Sequence, residues 1–170
     1  MGGNRMKYAS IPAIAILLGL LPGIPAFAQQ GPPAYGPSIS LAAAKRVMAA
    51  AEKEAISNNW QMTIAILDSG GHIVLMQRLD NSQLGSEDVA LSKARSSVNF
   101  RRPTKVFSDS LAQGGANIRL LTIEGLTPLP GGVPLIHDGL LIGAIGVSGG
   151  SGEQDDQVAN AGANALNPSP

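Results

Sequence analysis

The sequence predicts an α+β domain built around a mainly antiparallel sheet, and three observations support this fold class. Apolar residues recur at helical spacing between Leu41 and Ala55. Two pairs of short apolar runs follow, one pair joined by residues 69–71 and the other by Asp138-Gly139, and both junctions are typical of β-hairpins. The predicted order is therefore helix, hairpin, helices, hairpin, helix.

The first half of the domain is predicted to begin with a helix that is followed by two strands. Ser40 is the expected N-cap of this helix, which ends at residues 58–59. Strands are expected over residues 61–68 and 72–80. The first strand has apolar side chains on both faces, which indicates that it is covered from both sides.

The helices of the second half have recognisable starts and stops. Ser86 is expected to cap a helix that runs through Phe100. Pro103 either ends this helix or separates it from a shorter one that runs to residues 114–115, because proline fits a first turn better than a helix interior. A closing helix is expected where acidic residues at 153–156 suit the dipole of its first turn.

The last two strands are predicted over residues 133–137 and 140–148. Gly143 and Gly146 interrupt the second of these runs. A glycine inside a strand permits the close approach of another element, so we expect a helix or a ligand to pack there.

The chain begins with a segment typical of a cleavable secretory signal. Basic residues at 5 and 7 precede an apolar run over residues 11–21 and an Ala26-Phe-Ala28 cleavage site. The alternative, a membrane anchor, needs roughly 20 apolar residues without the prolines found here. We therefore expect residues 1–28 to be a signal peptide, and the mature protein to be periplasmic or secreted with no membrane span.

The rest of the chain divides into three parts. Residues 29–37 are rich in glycine and proline and are expected to form a flexible lead-in with neither helix nor ladder. Residues 38–166 form the domain, and residues 167–170 are expected to form a frayed tail.

Composition excludes several classes of function. Removal of residues 1–28 leaves 10 basic and 12 acidic residues without a basic cluster, so nucleic acid is not an expected partner. The chain has no cysteine, which excludes disulfides and thiol nucleophiles. Packing or self-association must therefore stabilise the domain.

Several short phrases, by their order and spacing, resemble one known family. They are Asp68-Ser-Gly-Gly-His72, Arg78-Leu-Asp80, Lys93-Ala-Arg95, Arg102-Pro-Thr104, Gly131-Gly-Val-Pro134, Asp138-Gly139, Ile142-Gly-Ala-Ile-Gly-Val-Ser148 and Asp155-Asp156. Over residues 39–166 the chain resembles the family of the glycolate-utilisation G protein and the secreted haem-binding protein, often called the haem-degrading domain family. The same domain is fused to some corrinoid adenosyltransferases. The resemblance implies a three-layer α-β-α sandwich, self-association into dimers or larger rings, and haem binding in some members.

Five residues are candidates for a ligand-binding site. His72 follows a Gly-Gly turn and is the candidate metal ligand, with a solvated turn histidine as the alternative. Arg102 and Thr104 lie near a helix start that would favour an anion such as a haem propionate, and they are equally suited to capping or ion pairing. By the resemblance, the Thr104 hydroxyl is also a conceivable weak iron ligand. Gly131 and Gly132 either turn backbone amides toward a ligand or make a tight turn.

Weaker candidates also have ordinary structural explanations. His137 lies at a predicted hairpin tip, and Glu153 with Asp156 could hold a surface cation. Asp68 with His72, and Asp80 with Arg78, could form acid–base pairs, but both pairs lie beside turns.

The sequence favours a ligand-binding protein over a dedicated enzyme. It has no phosphate loop or zinc-ligand spacing. The expected function is binding of haem, or of a similar anionic and partly apolar small molecule, for sequestration, sensing or slow degradation. Two alternatives remain: a cofactor-free isomerase or lyase acting on a hydroxy or oxo acid, and an assembly module without a ligand.

Overall fold

The computed structural model describes residues 1–3 and 31–167, and its elements follow the predicted order. They are α1 (Leu41–Ser57), β1 (Thr63–Asp68), β2 (Ile73–Arg78), α2 (Ser86–Phe100), α3 (Lys105–Ala112), β3 (Gly132–His137), β4 (Leu140–Ser148) and α4 (Gly152–Asn164). A 3₁₀ helix over Gly115–Thr122 has no counterpart in the sequence prediction. Apart from residues 1–3, the predicted signal peptide lies outside the described residues.

The four strands form one antiparallel sheet in the order β2-β1-β4-β3. Helices α1 and α4 pack together on one face, and α2 packs on the other, mainly against β4 and β1. The three layers confirm the predicted α-β-α sandwich.

Strand β1 lies at the centre of the core. Ile64 and Ile66 contribute to the core cluster beneath α1 and α4, whereas Leu67 belongs to the cluster beneath α2, and all three side chains are fully buried. The prediction that this strand is covered on both faces is therefore confirmed.

Gly146 marks the closest approach between α2 and the sheet. A Cβ atom at this position would lie 2.9 Å from the Cβ of Ala94 and would collide with the carbonyl oxygen of Ala90. Helix α2 therefore occupies the space that the sequence left open to a helix or a ligand, and any larger residue would push it away from β4.

The predicted helix caps have different outcomes. Ser40 caps α1, since its Oγ accepts a 3.2 Å hydrogen bond from the amide of Ala43. The cap predicted at Ser86 is wrong, because Gly85 holds the N-cap position of α2. The Ser86 hydroxyl is buried and accepts a 3.4 Å hydrogen bond from Ser148 Oγ, so it joins the helix to β4.

The lead-in was expected to form no ladder, and this expectation is wrong for residues 34–36. Tyr35 makes a parallel bridge with Leu141, whose amide donates to the carbonyl of Ala34 at 2.8 Å. The cause is the length of β4: Asp68, the last residue of β1, pairs with Gly143, so the start of β4 extends past β1. The lead-in takes the place that β1 leaves free.

The C-terminal tail was expected to be frayed from residue 167, and this is wrong for Asn167. Its side-chain amide donates to the carbonyl of Ile136 at 2.7 Å, and its Oδ1 lies 3.0 Å from Nδ1 of His137. Residues 168–170 lie outside the described part of the chain. Among the described residues, no helix combines the length and apolar character needed to cross a membrane.

Candidate functional site

Two arginines and three aromatic rings lie together where α2 turns into α3. Arg101 ends α2 in the left-handed conformation, with a φ of 53°. Pro103 then separates the two helices, which decides the alternative left open by the sequence. We call the group formed by Tyr35, Phe100, Arg101, Arg102 and Phe107 the arginine patch.

Each arginine of this patch is held against an aromatic ring. The Arg101 guanidinium lies 5.4 Å from the Tyr35 ring centroid and donates to the carbonyl of Pro33 at 3.3 Å. The Arg102 guanidinium lies 5.9 Å from the Phe107 centroid. Such contacts orient a guanidinium while leaving its charge available to an anion.

The aromatic rings of the patch also fix one another. Phe100 and Phe107 make an edge-to-face pair with centroids 5.4 Å apart. The Tyr35 hydroxyl donates to the carbonyl of Val98 at 3.0 Å, which ties the lead-in to the end of α2. The patch therefore combines cationic groups with apolar ring surface.

Thr104 and Gly132, two of the predicted site residues, bond directly to each other. The amide of Thr104 donates to the carbonyl of Gly132, and the amide of Gly132 donates to Thr104 Oγ1, both at 2.9 Å. Thr104 is fully buried. Within one subunit, its hydroxyl therefore holds the start of α3 against β3.

The Gly131-Gly132 loop faces protein atoms closely on both sides. A Cβ on Gly131, whose φ is +108°, would lie 2.8 Å from the Cβ of Asp155. A Cβ on Gly132 would collide with the carbonyl oxygen of Lys93 and lie 2.6 Å from the Thr104 methyl group. These contacts favour the tight-turn alternative, and ligand binding by the loop stays a prediction.

A buried ion pair lies beside this loop. Lys93 Nζ donates to Asp155 Oδ2 at 2.7 Å and to the carbonyl of Val147 at 2.9 Å. Asp155 Oδ1 accepts from the amide of Gly150. Burial raises the pKa of Asp155 above its ordinary value, although the Lys93 ammonium and the amides of Gly150 and Gly149 act in the opposite direction.

His72, the predicted metal ligand, projects from the turn between β1 and β2. Its side chain is 83% exposed, and its Nδ1 lies 3.4 Å from Asp68 Oδ1. That same oxygen accepts hydrogen bonds from the amides of Gly70 and His72 at 2.9 Å. Desolvation acts to raise the pKa of Asp68, but these amides and the His72 ring outweigh it, so this pKa lies below its ordinary value.

The lead-in connects the arginine patch to the Asp68–His72 turn. Pro33 accepts a hydrogen bond from Arg101, and Ser38 Oγ lies 3.5 Å from Asp68 Oδ2. Tyr35 pairs with Leu141 and Asp68 pairs with Gly143, both near the start of β4, so the patch and the turn lie near the same end of the sheet. The lead-in thus links the turn that carries His72 to Arg101. Thr104 and Gly132 instead bond to each other inside the domain.

Two of the weaker candidates, His137 and Arg78, contact neighbouring side chains. His137 lies at the hairpin tip beside Asn167 and Asp138. Arg78 bonds to Glu87 at 2.7 Å, so the predicted pairing of Arg78 with Asp80 is not the one that forms. Within residues 31–167, no group of three histidine or acidic side chains could hold a metal ion.

Sequence reasoning missed three of the residues that build these contacts. Lys93 and Asp155 are 62 positions apart, and no local pattern marks them as a pair. Tyr35 gave a usable signal, because it is one of only four aromatic residues after position 28. However, Tyr35 lies in a segment rich in glycine and proline, which predicts a loop and not a contact with the end of α2.

Comparison with known proteins identifies relatives of the whole domain. Residues 39–164 match the family described as haem degrading protein HbpS-like. An uncharacterized 15.0 kDa protein from the dhaT-dhaS intergenic region of Citrobacter freundii is 36% identical over 124 residues, which cover 72% of this chain and 87% of that protein.

Two solved structures share the fold. The crystal structure of HbpS aligns with a TM-score of 0.70 and 32% identity, covering 77% of this chain and 92% of the other. The crystal structure of a PduOC:haem complex aligns with a TM-score of 0.69 and 29% identity, covering 76% and 96%. From the extent of the family match and the identity to its relatives, we conclude that this chain belongs to the HbpS-like haem degrading protein family.

Proposed function

We propose that this chain is an exported, self-associating protein that binds haem or a similar anionic, partly apolar ligand. The observation that supports this most directly is the arginine patch, where Arg101 and Arg102 lie over the rings of Tyr35 and Phe107. A flat ligand with carboxylate groups needs both apolar ring surface and guanidinium groups. The structural relative solved as a haem complex supports the choice of haem.

Residues of the patch and of the Asp68–His72 turn carry the groups that such a ligand needs. Arg102 is exposed, so its guanidinium is available for a propionate. His72 contacts Asp68 through Nδ1, which leaves Nε2 for a metal, and a carboxylate beside the other ring nitrogen is the usual support of a ligating histidine. The Thr104 hydroxyl is already bonded to Gly132. Bound haem would supply a redox-active iron, while these side chains bind and orient the porphyrin.

Self-association is supported by apolar side chains that the domain leaves uncovered. Ile118 and Leu121 of the 3₁₀ helix are 58% and 65% exposed, and no residue of that helix is buried. A second copy of the chain would remove this apolar surface from water. Light scattering at micromolar concentration should therefore give a dimer or a larger closed oligomer, and a clean monomer would contradict this part of the proposal.

Absorbance titration of the purified protein with haemin tests the binding proposal. Saturable binding with a shifted Soret band is the expected result. His72→Ala should change the Soret and visible bands, because it removes the iron ligand, while apolar contacts still retain some porphyrin. If wild-type protein gave no saturable change, the proposal would be wrong.

An arginine variant, compared with His72→Ala, separates anion docking from iron ligation. Arg102→Ala should leave the spectrum of bound haem nearly unchanged and weaken affinity about ten- to a hundredfold, since a charge-assisted hydrogen bond that the ligand buries is worth roughly 1.5–3 kcal/mol. The matched control is Arg46→Ala, which removes the same charge from an exposed position on α1. Equal affinities for both variants would exclude the arginine patch as the docking site.

A further inference from the structure

A groove surrounds Trp60, the single tryptophan of the chain, and contains none of the residues proposed to bind haem. It consists of two depressions that share Asn59, Trp60 and Gln61. The first, of about 470 Å³, lies between the end of α1 and the end of β2. The second, of about 360 Å³, reaches the start of α4. Each volume is typical of a small-molecule site.

The local backbone explains why Trp60 lies between the two depressions. Asn59 has a φ of 56° and turns the chain after α1, and the amide of Trp60 then donates to the carbonyl of Ala55 at 2.9 Å. The indole packs partly against the core cluster beneath α1 and α4. The remaining ring surface lines the groove, where a rigid aromatic face can stack against an apolar face of a ligand.

Carboxamide side chains surround this ring. Six of them line the two depressions: Asn59, Gln61, Gln77, Asn81, Gln83 and Gln154. Within residues 31–167, Gln154 is the one member of this set whose side chain has a hydrogen-bond partner, the amide of Ser151. Each amide presents a donor and an acceptor side by side, and a hydroxyl group also donates and accepts. The groove therefore matches a ligand with many hydroxyl groups.

The charges of the groove disfavour an anion. Glu52 and Asp80 line the first depression. Arg78 also lines it, but its Nη1 bonds to Glu87 Oε1 at 2.7 Å, so its charge is balanced. The remaining carboxylates would repel a propionate or a phosphate and can accept hydrogen bonds from hydroxyls. This separates the Trp60 groove from the arginine patch in charge as well as in position.

We propose that the Trp60 groove binds a neutral saccharide. One sugar ring stacks its apolar face on Trp60, and its hydroxyl groups bond to the surrounding amides and carboxylates. The two depressions on either side of the indole accommodate neighbouring units of a short oligosaccharide.

Tryptophan fluorescence tests this directly, because Trp60 is the only tryptophan in the chain. The purified full chain is titrated with maltotriose, cellotriose and N,N′-diacetylchitobiose. At least one should give a saturable change with a Kd of about 1 mM or tighter. If none of the three changes the emission saturably, the proposal is overturned. A trigalacturonate that binds as tightly as the neutral sugars would overturn the charge argument and with it the proposal.

Variants on the two sides of the ring locate the binding. Gln77 lines only the first depression and Gln83 only the second, and neither has positive φ. Gln77→Ala or Gln83→Ala should weaken binding about three- to tenfold, as expected for one lost hydrogen bond. Gln113→Ala, which changes the exposed glutamine at the C-cap of α3, is the matched control and should bind as wild type. Wild-type affinity in both groove variants would overturn the assignment to this groove.

Discussion

Lys93 of α2 and Asp155 of α4 join the two helical layers on opposite faces of the sheet through one ion pair. The atoms Nζ and Oδ2 lie 2.7 Å apart, and the two side chains are only 3% and 5% exposed. The ammonium also donates to the carbonyl of Val147, near the end of β4. One lysine therefore fixes a helix of each layer to the strand between them.

Removal of one partner of this pair should destabilise the fold strongly. Lys93→Met is expected to lower the free energy of unfolding by about 3–5 kcal/mol, because it leaves the Asp155 carboxylate buried without its counter-ion. Urea unfolding measures the change. The control is Lys105→Met on the exposed pair with Asp109, where the change should be far smaller because water and salt screen the two charges.

Replacement of both partners should recover much of this loss. The double variant Lys93→Met/Asp155→Leu removes both charges and fills the space with apolar atoms, a change that is often neutral in buried pairs. A double variant less stable than Lys93→Met alone would show that the hydrogen bonds to Val147 and Gly150 matter more than the charges.

Gly132 is expected to tolerate no side chain. Gly132→Ala should lower the free energy of unfolding by about 1–3 kcal/mol, since its Cβ would meet the Lys93 carbonyl and the Thr104 methyl group. Gly85→Ala is the matched control, because nothing lies within 4 Å of its Cβ position. The denaturation midpoints of the two variants are compared. Equal midpoints would show that α2 and α3 can move to admit the Cβ without loss of stability.

Stability should fall in acid partly through Asp68. Its folded pKa is lowered, so the carboxylate stabilises the fold above the unfolded pKa of about 3.9, and this contribution is lost as the pH falls through the folded value. Asp68→Asn keeps an acceptor for the amides of Gly70 and His72 without the titration. Thermal unfolding between pH 7 and pH 3 (roughly spanning that pKa) should therefore show a smaller loss of stability in the variant, whereas parallel curves would contradict it.

Export should remove the first 28 residues. Mature protein is expected to begin at Gln29, since Ala28 completes the cleavage motif. Intact-mass measurement of protein from the native envelope or culture fraction tests this. Retention of residues 1–28 in that fraction would refute the signal assignment.

Local chemistry was sufficient to predict the α-helices and strands of the fold, but not the 3₁₀ helix over Gly115–Thr122. Asp138 and Gly139 have φ angles of 50° and 77°, as a two-residue hairpin requires, and this pair alone located β3 and β4. The Ser40 cap similarly located the start of α1. Both signals are complete within a few residues, so no knowledge of distant contacts was needed.

The contacts around the candidate site depend on distant residues and could not be predicted in the same way. Lys93 and Asp155 look like ordinary solvated helix residues, because charged side chains are seldom fully buried. The sequence leaves the Thr104 hydroxyl available for a ligand, whereas in the structure this hydroxyl accepts a hydrogen bond from the amide of Gly132. The lead-in has a composition typical of loops, and it forms a bridge only because β4 extends past β1.

The outer strand β3 presents an edge at which another strand could pair. Strand β3 is an outer strand, and Pro134 within it has no backbone N–H to offer to an approaching strand. Further strands therefore add poorly along the β3 edge. A second copy that approaches the β3 edge would therefore have to dock through helices or loops, rather than by adding a strand to the sheet.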